Sequence, residues 1–294
     1  MKLLIFGGTQ FVGRHIAETA LAHGHEVSLF HRGQTGPGLH PQAEHILGDR
    51  KGELSVIGDR RFDAVIDVSG YLPQVVNKSV EFIRKLTNHY LFISTISVYD
   101  AEGMSQVDEA TPLLVPPAEE VDIVTNETYG GLKVACEAAV RSAFPGATIL
   151  RPGLVGGPYD HTKRFDRWIQ AAIRDEEIRI PTDPDRAVQL VDGRDLAEFA
   201  LAATERSLAG TFNITGVPSN WGELAAALRA LAPSGNVEFG PSTDENPPMV
   251  IPLDSSDALF RTSHQRAVEQ GFRPRTIQEM VADAPNWPQN QISP

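Results

Sequence analysis

A chain of 294 residues with 41% apolar content can bury a sizeable core, and it is longer than one typical domain but short for two. Its 26 basic and 38 acidic residues leave a net charge of −12, which argues against nucleic acid or an anionic membrane as main partner, because phosphate binding wants a basic face. Cys136 is the single cysteine, so an intrachain disulfide is excluded and a reducing compartment fits.

Taken in chain order, Lys2–Phe6 is a short apolar run closed by Gly7-Gly8 and reads as a buried parallel strand. Phe11 to His23 follows as a helix with Val12, Ile16 and Ala20 on one face, and Gly24 is placed to end it. Glu26–Phe30 and Glu44–Leu47 are the second and third strands, and Asp63–Val68 is the fourth. Proline suits a first helical turn, so a helix starts near Pro73. Tyr90–Thr95 is a fifth strand, Tyr129–Ala143 a long helix and Ala147–Leu150 a sixth strand. Beyond Arg151 prolines break the pattern. There a helix is expected around Arg164–Arg174, another over Asp195–Thr204 and a strand at Thr211–Ile214. Alternating strands and helices imply right-handed crossovers and an α/β fold with a parallel sheet covered on both faces. No stretch approaches the roughly 20 apolar residues of a membrane span, and the amino terminus resembles no secretory signal, so the expected location is cytoplasmic.

Gly7-Gly8-Thr9-Gln10-Phe11-Val12-Gly13 lies between the first strand and the first helix, where a dinucleotide pyrophosphate meets helix N-terminal amides. Gly7 would permit the sharp turn, and Gly13 close packing of helix on sheet. A glycine-rich turn can also serve packing alone. Gln10 stands where the middle glycine would be, and its Cβ limits approach of the backbone to phosphates. The second strand ends Leu29-Phe30-His31-Arg32 with no carboxylate to hold a ribose 2′-hydroxyl. Arg32 could instead grip a 2′-phosphate, so NADP is favoured over NAD; the plainer reading is a solvated loop residue. Asp49, next to Arg50 after the third strand, could accept from an adenine amino group.

Tyr129 and Lys133 sit four residues apart on one helix face. An adjacent cation favours the phenolate over a phenol whose ordinary pKa is ~10, so the pair could exchange a proton with a substrate hydroxyl or carbonyl. Ser94 and Thr95 close the fifth strand, at the carboxyl edge where such sheets bind ligands. A hydroxyl there can stabilise developing charge or simply cap a turn.

Jointly, GGTQFVG, ISTISVY, YGGLK, the later Arg151-Pro152-Gly153-Leu154-Val155-Gly156-Gly157-Pro158, Val191–Ala197 and Phe212–Gly216 resemble the extended, atypical short-chain dehydrogenase/reductases of the NAD-dependent epimerase/dehydratase family. The resemblance covers nearly the whole chain. It implies a Rossmann doubly wound parallel sheet with a smaller C-terminal substrate lobe: residues 1–155 with 187–215 returning, and 156–186 with 216–294. It also implies Tyr129 as general acid/base, Lys133 orienting the nicotinamide ribose and lowering the tyrosine pKa, and Thr95 in the hydroxyl role. By the same likeness Val68, Ser69, Gly70, Ser94 and Pro152–Leu154 line the cofactor. The fourth strand ends Asp67-Val68-Ser69-Gly70 where the superfamily often has His-x-Ala-Ala, and Val188 stands where sugar-nucleotide enzymes place an arginine. The expected activity is NAD(P)-dependent oxidoreduction or epimerisation of a sugar-like small molecule by hydride transfer at a hydroxyl or keto carbon. The alternative is a non-catalytic Rossmann-scaffold binder of RNA or dinucleotide, like the chloroplast stem-loop binding proteins. Superfamily members often dimerise through helices matching Pro73–Leu86 and Tyr129–Ala143, so a homodimer is expected. His23 and His25 flank Gly24 at a helix end, and no cysteine or carboxylate completes a ligand set of metal-binding spacing, so no metal is expected. Glu119-Glu120 and Asp175-Glu176-Glu177 read as solvated faces.

Overall fold

The computed structural model describes residues 1–36, 38–118, 121–232, 234, 236–241 and 257–288. Glu119-Glu120, the chain from 242 to 256 and the last six residues lie outside the described residues. In chain order the elements are β1 (Lys2–Phe6), α1 (Phe11–Ala22), β2 (Glu26–His31), β3 (Glu44–Leu47), β4 (Ala64–Asp67), α2 (Pro73–Ile83), β5 (Tyr90–Ile93), α3 (Asn126–Ala143), β6 (Thr148–Pro152) and β7 (Leu154–Gly156). Then come α4 (Asp166–Ile173), β8 (Ile178–Ile180), β9 (Ala187–Val188), β10 (Leu190–Asp192), α5 (Gly193–Glu205), β11 (Gly210–Ile214), β12 (Ser219–Asn220), α6 (Trp221–Leu231), β13 (Val237–Phe239), α7 (Gln265–Glu269) and α8 (Ile277–Asp283).

Seven strands make one parallel sheet in the order β11-β6-β5-β4-β1-β2-β3. Strand periodicity divides β1 between two cores. Leu3 and Ile5 pack with Ile16 and Ala20 of α1 and Leu196 and Ala200 of α5, whereas Leu4 and Phe6 face Val76 and Val80 of α2 and Val140 of α3. Both faces are therefore covered, as the apolar runs demand. The strand order reverses direction at β1 and β4, which opens a crevice beyond their carboxyl ends. A separate apolar cluster joins Trp168 and Ile169 of α4, Ile178 and Ile180 of β8, Trp221 and Leu228 of α6, and Met280 of α8. All its members come from residues after 164, and Trp168 meets Trp221 edge-on at 5.4 Å.

The expected α/β architecture with a parallel sheet is the one found. Among the differences from the sequence expectation, three bear on the site or its surroundings. β5 ends at Ile93 rather than Thr95, because the Thr95 hydroxyl accepts the Ser97 amide and opens a short 3-10 turn over Ile96–Val98. α3 starts three residues early, at Asn126, behind a reciprocal cap between Thr125 and Thr128. His23 and His25 do have a carboxylate beside them: α5 carries Glu205 to within 2.9 Å of the His25 ring. No helix among the described residues is long and apolar enough to cross a membrane.

Candidate active site

The glycine turn is built on contact with β4. A Cβ on Gly7 would lie 2.6 Å from Val68 Cγ2, and one on Gly13 2.9 Å from the same methyl and 2.8 Å from the Gly8 amide nitrogen. Gly7 and Gly8 also have φ of 106° and 97°, which a side chain disfavours. The turn is braced from the β2–β3 connection, where the Thr9 and Thr35 hydroxyls meet at 2.7 Å and His40 Nε2 reaches the Gly8 carbonyl at 3.1 Å. Phe11 enters α1 with φ 35°, unusual for a bulky residue and a mark of how crowded this corner is. Gln10 is exposed at the N-cap of α1 and makes no side-chain cap hydrogen bond.

A cavity of about 520 Å³ opens over this turn. It brings together Gly7 to Gly13, His31, Arg32, Asp49, Arg50, Val68 and Ser69, as grouped from sequence, and adds Gln34, Thr35, Lys51, Tyr71 and His161. Arg32 and Asp49 are exposed at its rim. His31 is turned to His45 at 2.8 Å, and burial together with the neighbouring His45 holds its ring below the ordinary pKa. Arg50 differs from Arg32. Its guanidinium is buried over the Phe6 ring, grips both oxygens of Asp67 at 2.5 and 2.6 Å and donates to Ser79. It forms the floor of the cavity.

At the carboxyl end of β5, Tyr129 comes near Thr95, whose hydroxyl favours ionisation of the phenol and itself donates to Ser97 Oγ at 3.2 Å. This meeting depends on Gly130. A Cβ there would lie 2.2 Å from the Ser97 carbonyl oxygen, so only glycine lets α3 approach the turn that carries Thr95. Gly131 is similarly crossed by the Val115 carbonyl, 3.0 Å from where its Cβ would be. Gly130→Ala is expected to cost about 1–3 kcal/mol of unfolding free energy as an overpacking change, read from a urea melt. A melt indistinguishable from wild type would refute the close approach.

Lys133 is buried, and its ammonium donates to the Gly70 carbonyl at 2.8 Å and the Ile93 carbonyl at 2.7 Å. It thereby ties the ends of β4 and β5. Gly70 fits because a Cβ there would strike the Phe92 ring at 2.5 Å. The expected lowering of the tyrosine pKa by Lys133 is not found. Burial and then the neighbouring Tyr71 push Tyr129 up to about 12, against the pull of the Thr95 hydroxyl and the nearby Arg164 charge. The amine is instead occupied by carbonyls, and burial brings its own pKa down to about 8. Folded protein therefore releases this proton before unfolded chain does, so this group's contribution to stability rises with pH from about 8 toward the ordinary 10.5. For the site, the donor capacity of Lys133 is expected to fall as pH rises through about 8. Nicotinamide dinucleotide affinity should weaken over that range in a fluorescence titration, and a Lys133→Gln profile should be flat there.

Ser94 is placed otherwise than its sequence role implied. Its hydroxyl donates to Glu137 at 2.6 Å, away from the phenol. Glu137 is in turn held by both arms of Arg151 at 2.9 and 2.6 Å, Arg151 donates to the Tyr99 hydroxyl at 2.9 Å, and Tyr99 donates to Asn213. This buried chain locks β5, α3, β6 and β11 together behind Thr95 and Tyr129. Sequence reasoning missed Glu137, although its position four residues past Lys133 put it on the same inward helix face. Pro152, Gly153 and Leu154 lie at the end of β6, where the Gly153 amide donates to the Ile214 carbonyl at 3.0 Å. They stand beside Ile96 and Thr215 and apart from the cavity over the glycine turn. Tyr71 was also missed. Its ring lies 6.5 Å from that of Tyr129 and 5.1 Å from Lys133 Nζ, so it walls the space between cavity and phenol.

The model of the NAD dependent epimerase/dehydratase family matches residues 3–215, a span holding the glycine turn, Thr95, Tyr129 and Lys133. The chain belongs to that family. Membership agrees with the resemblance carried by the motifs. Among similar proteins, the chloroplast stem-loop binding protein of 41 kDa b from Arabidopsis thaliana is 27% identical over 73% of this chain and 58% of its own length. The UDP-glucose 4-epimerase of Corynebacterium glutamicum is 28% identical over 54% of this chain and 53% of its own length. This chain thus spans little more than half the length of either relative. Among solved structures, UDP-glucuronic acid 4-epimerase from Bacillus cereus in complex with NAD matches with a TM-score of 0.73 at 19% identity, over 98% of this chain and 96% of that one. That likeness is one of fold.

Proposed function

We propose that this family member binds a nicotinamide dinucleotide over the Gly7–Gly13 turn and carries out oxidoreduction or epimerisation at a hydroxyl or keto carbon of a sugar-like small molecule. The observation that carries the reading is that Thr95 and Tyr129 come together at the turn of α3 that carries Lys133, at the same sheet edge as the glycine cradle. What supports a dinucleotide there is the open cavity of about 520 Å³ directly above the turn at the N-terminus of α1. Gly7–Gly13, His31, Arg32, Asp49, Val68 and Ser69 would hold the nucleotide, with Lys133, Gly70 and Pro152–Leu154 toward the nicotinamide. Bound there, the nicotinamide supplies or accepts hydride. Tyr129 Oη holds the proton exchanged with the substrate oxygen, and with a pKa of about 12 it is a donor at neutral pH. Thr95 steadies that phenol and offers its hydroxyl to the same oxygen. Tyr71 and the buried floor exclude water from one side.

NADP is the favoured cofactor within this proposal, on the ground that exposed Arg32 stands at the cavity rim and β2 ends without a carboxylate to hold a 2′-hydroxyl. Fluorescence titration with NADPH and NADH tests it. Arg32→Ala should weaken NADPH roughly 10- to 100-fold, the loss of one charge-assisted contact, and leave NADH unchanged. Equal losses for both would assign Arg32 no part in phosphate recognition. A cytoplasmic homodimer through α2 and α3 belongs to the same proposal, and sedimentation velocity reads the dimer.

A second reading has one specific support: the stem-loop binding relative covers more of this chain than the epimerase relative does. RNA binding needs clustered Lys and Arg, which a chain at −12 supplies only as short pairs such as Arg50-Lys51, Arg60-Arg61, Arg84-Lys85 and Lys163-Arg164. Filter binding with a structured RNA at low salt separates the readings. Salt-sensitive retention of RNA together with no cofactor binding would favour the second.

A further inference from the structure

At the opposite edge of the sheet from the active site, α1 gives out at Ala22 and the chain turns through Gly24, with φ 78°, into β2. That turn presents His23 and His25 on either side of the glycine. Across from it, the last turns of α5 present Glu198 and Glu205, seven residues apart and so on one helix face. His25 Nε2 stands 2.9 Å from Glu205 Oε1, His23 Nδ1 stands 4.0 Å from the same oxygen, and His23 Nε2 is 3.6 Å from Glu198. One ligand atom from each of His23, His25 and Glu205 lies within 4.8 Å of the others. It is the one such group among the described residues, and the redox proposal makes no use of it.

We infer that His23, His25 and Glu205 form a binding site for a divalent transition metal of the zinc type. Two imidazole nitrogens and a carboxylate oxygen are donors that Zn²⁺ accepts, with water completing a tetrahedron. Metal–donor bonds of ~2.0–2.1 Å put neighbouring ligand atoms roughly 3.4 Å apart, and the spacings of 2.9 and 4.0 Å fall on either side of that value. Small rotations of His23 and Glu205 close the set, and both are free to make them, with side chains 45% and 39% exposed. His25, at 9%, is the fixed member. Hard cations such as Mg²⁺ prefer all-oxygen shells and are poorly served by two imidazoles. The ion would join residues 180 apart in sequence and clip the α1–β2 turn to the end of α5. It is therefore a structural clip remote from the chemistry.

Isothermal titration of Zn²⁺ into the full chain, without any histidine tag, tests the site. One equivalent is expected to bind and to raise the melting temperature. His25→Ala and Glu205→Gln should each weaken binding by at least about tenfold, the lower end of what losing even an outer-sphere partner costs. Circular dichroism checks that the variants are folded, and Glu205→Gln keeps the test alive should His25→Ala unfold. His45→Ala removes a partner of the separate His31–His45 pair and should leave binding unchanged. No saturable Zn²⁺ binding, Zn²⁺ binding that is lost in His45→Ala but kept in Glu205→Gln, or equal binding of Mg²⁺ at this place would each overturn the assignment.

Discussion

Tyr129→Phe is expected to lower turnover by about 10²- to 10⁴-fold, the usual worth of a positioned proton donor, while dinucleotide affinity stays near that of wild type. The substitution removes one oxygen. The ring stays against Tyr71 and the helix stays capped by Thr125 and Thr128, so folding is preserved. What goes is the hydroxyl that meets Thr95 and holds the transferable proton. Thr95→Val tests the partner and should cost less, because the phenol remains. Steady-state assays on whichever hydroxyl or keto compound the wild-type chain converts read both effects. A Phe variant as active as wild type would remove Tyr129 from the chemistry.

Asp67→Asn is expected to destabilise the fold by about 3–5 kcal/mol, the cost of breaking a buried ion pair and stranding its partner. Asp67 is wholly buried and accepts from both nitrogens of Arg50, from the Tyr90 hydroxyl at 2.7 Å and from the Ser69 amide at 3.0 Å. The amide side chain cannot neutralise the guanidinium, and Arg50 has little water to turn to. Replacing both members with apolar residues, as in Arg50→Met with Asp67→Leu, should recover much of the loss. Urea melts of the single and double variants decide this, and additive losses would refute the pairing. The pH sense follows from the same contacts. Burial alone would raise the Asp67 pKa, but Arg50, Tyr90 and the Ser69 amide hold it below the ordinary value. Its stabilising contribution is therefore complete above the ordinary carboxylate pKa and is lost as pH falls below that toward the folded-state value. The Asp67→Asn variant should lack this part of the acid transition.

The strands and helices of the sheet were legible because burial writes its pattern locally. β1, β3 and α2 are found where apolar runs, Gly24 and Pro73 placed them or their neighbours. The helix α6 and the short strands β8, β9, β12 and β13 were not seen, since the proline-broken second half offers no long period to read. At the site, Gly7 and Gly13 could be picked out by type and position, yet the Val68 methyl that requires them is 55 or more residues away. Spacing alone leaves Ser94 and Thr95 equivalent as neighbouring hydroxyls, and only the family resemblance separates them. Glu137 and Tyr129 come to them from another helix and assign one to the buried network and the other to the phenol.

Sequence by itself determined the alternation of elements, the phosphate-type turn at the first strand and the residue types able to move a proton, because each depends on spacing within a few residues. Tertiary structure alone decided which groups meet. It turned Arg50 inward to Asp67 while leaving Arg32 at the rim, gave Lys133 to two carbonyls instead of the phenol, and set Glu205 beside two histidines. The reason is that burial and charge pairing act through space, where residues far apart in the chain share one desolvated environment.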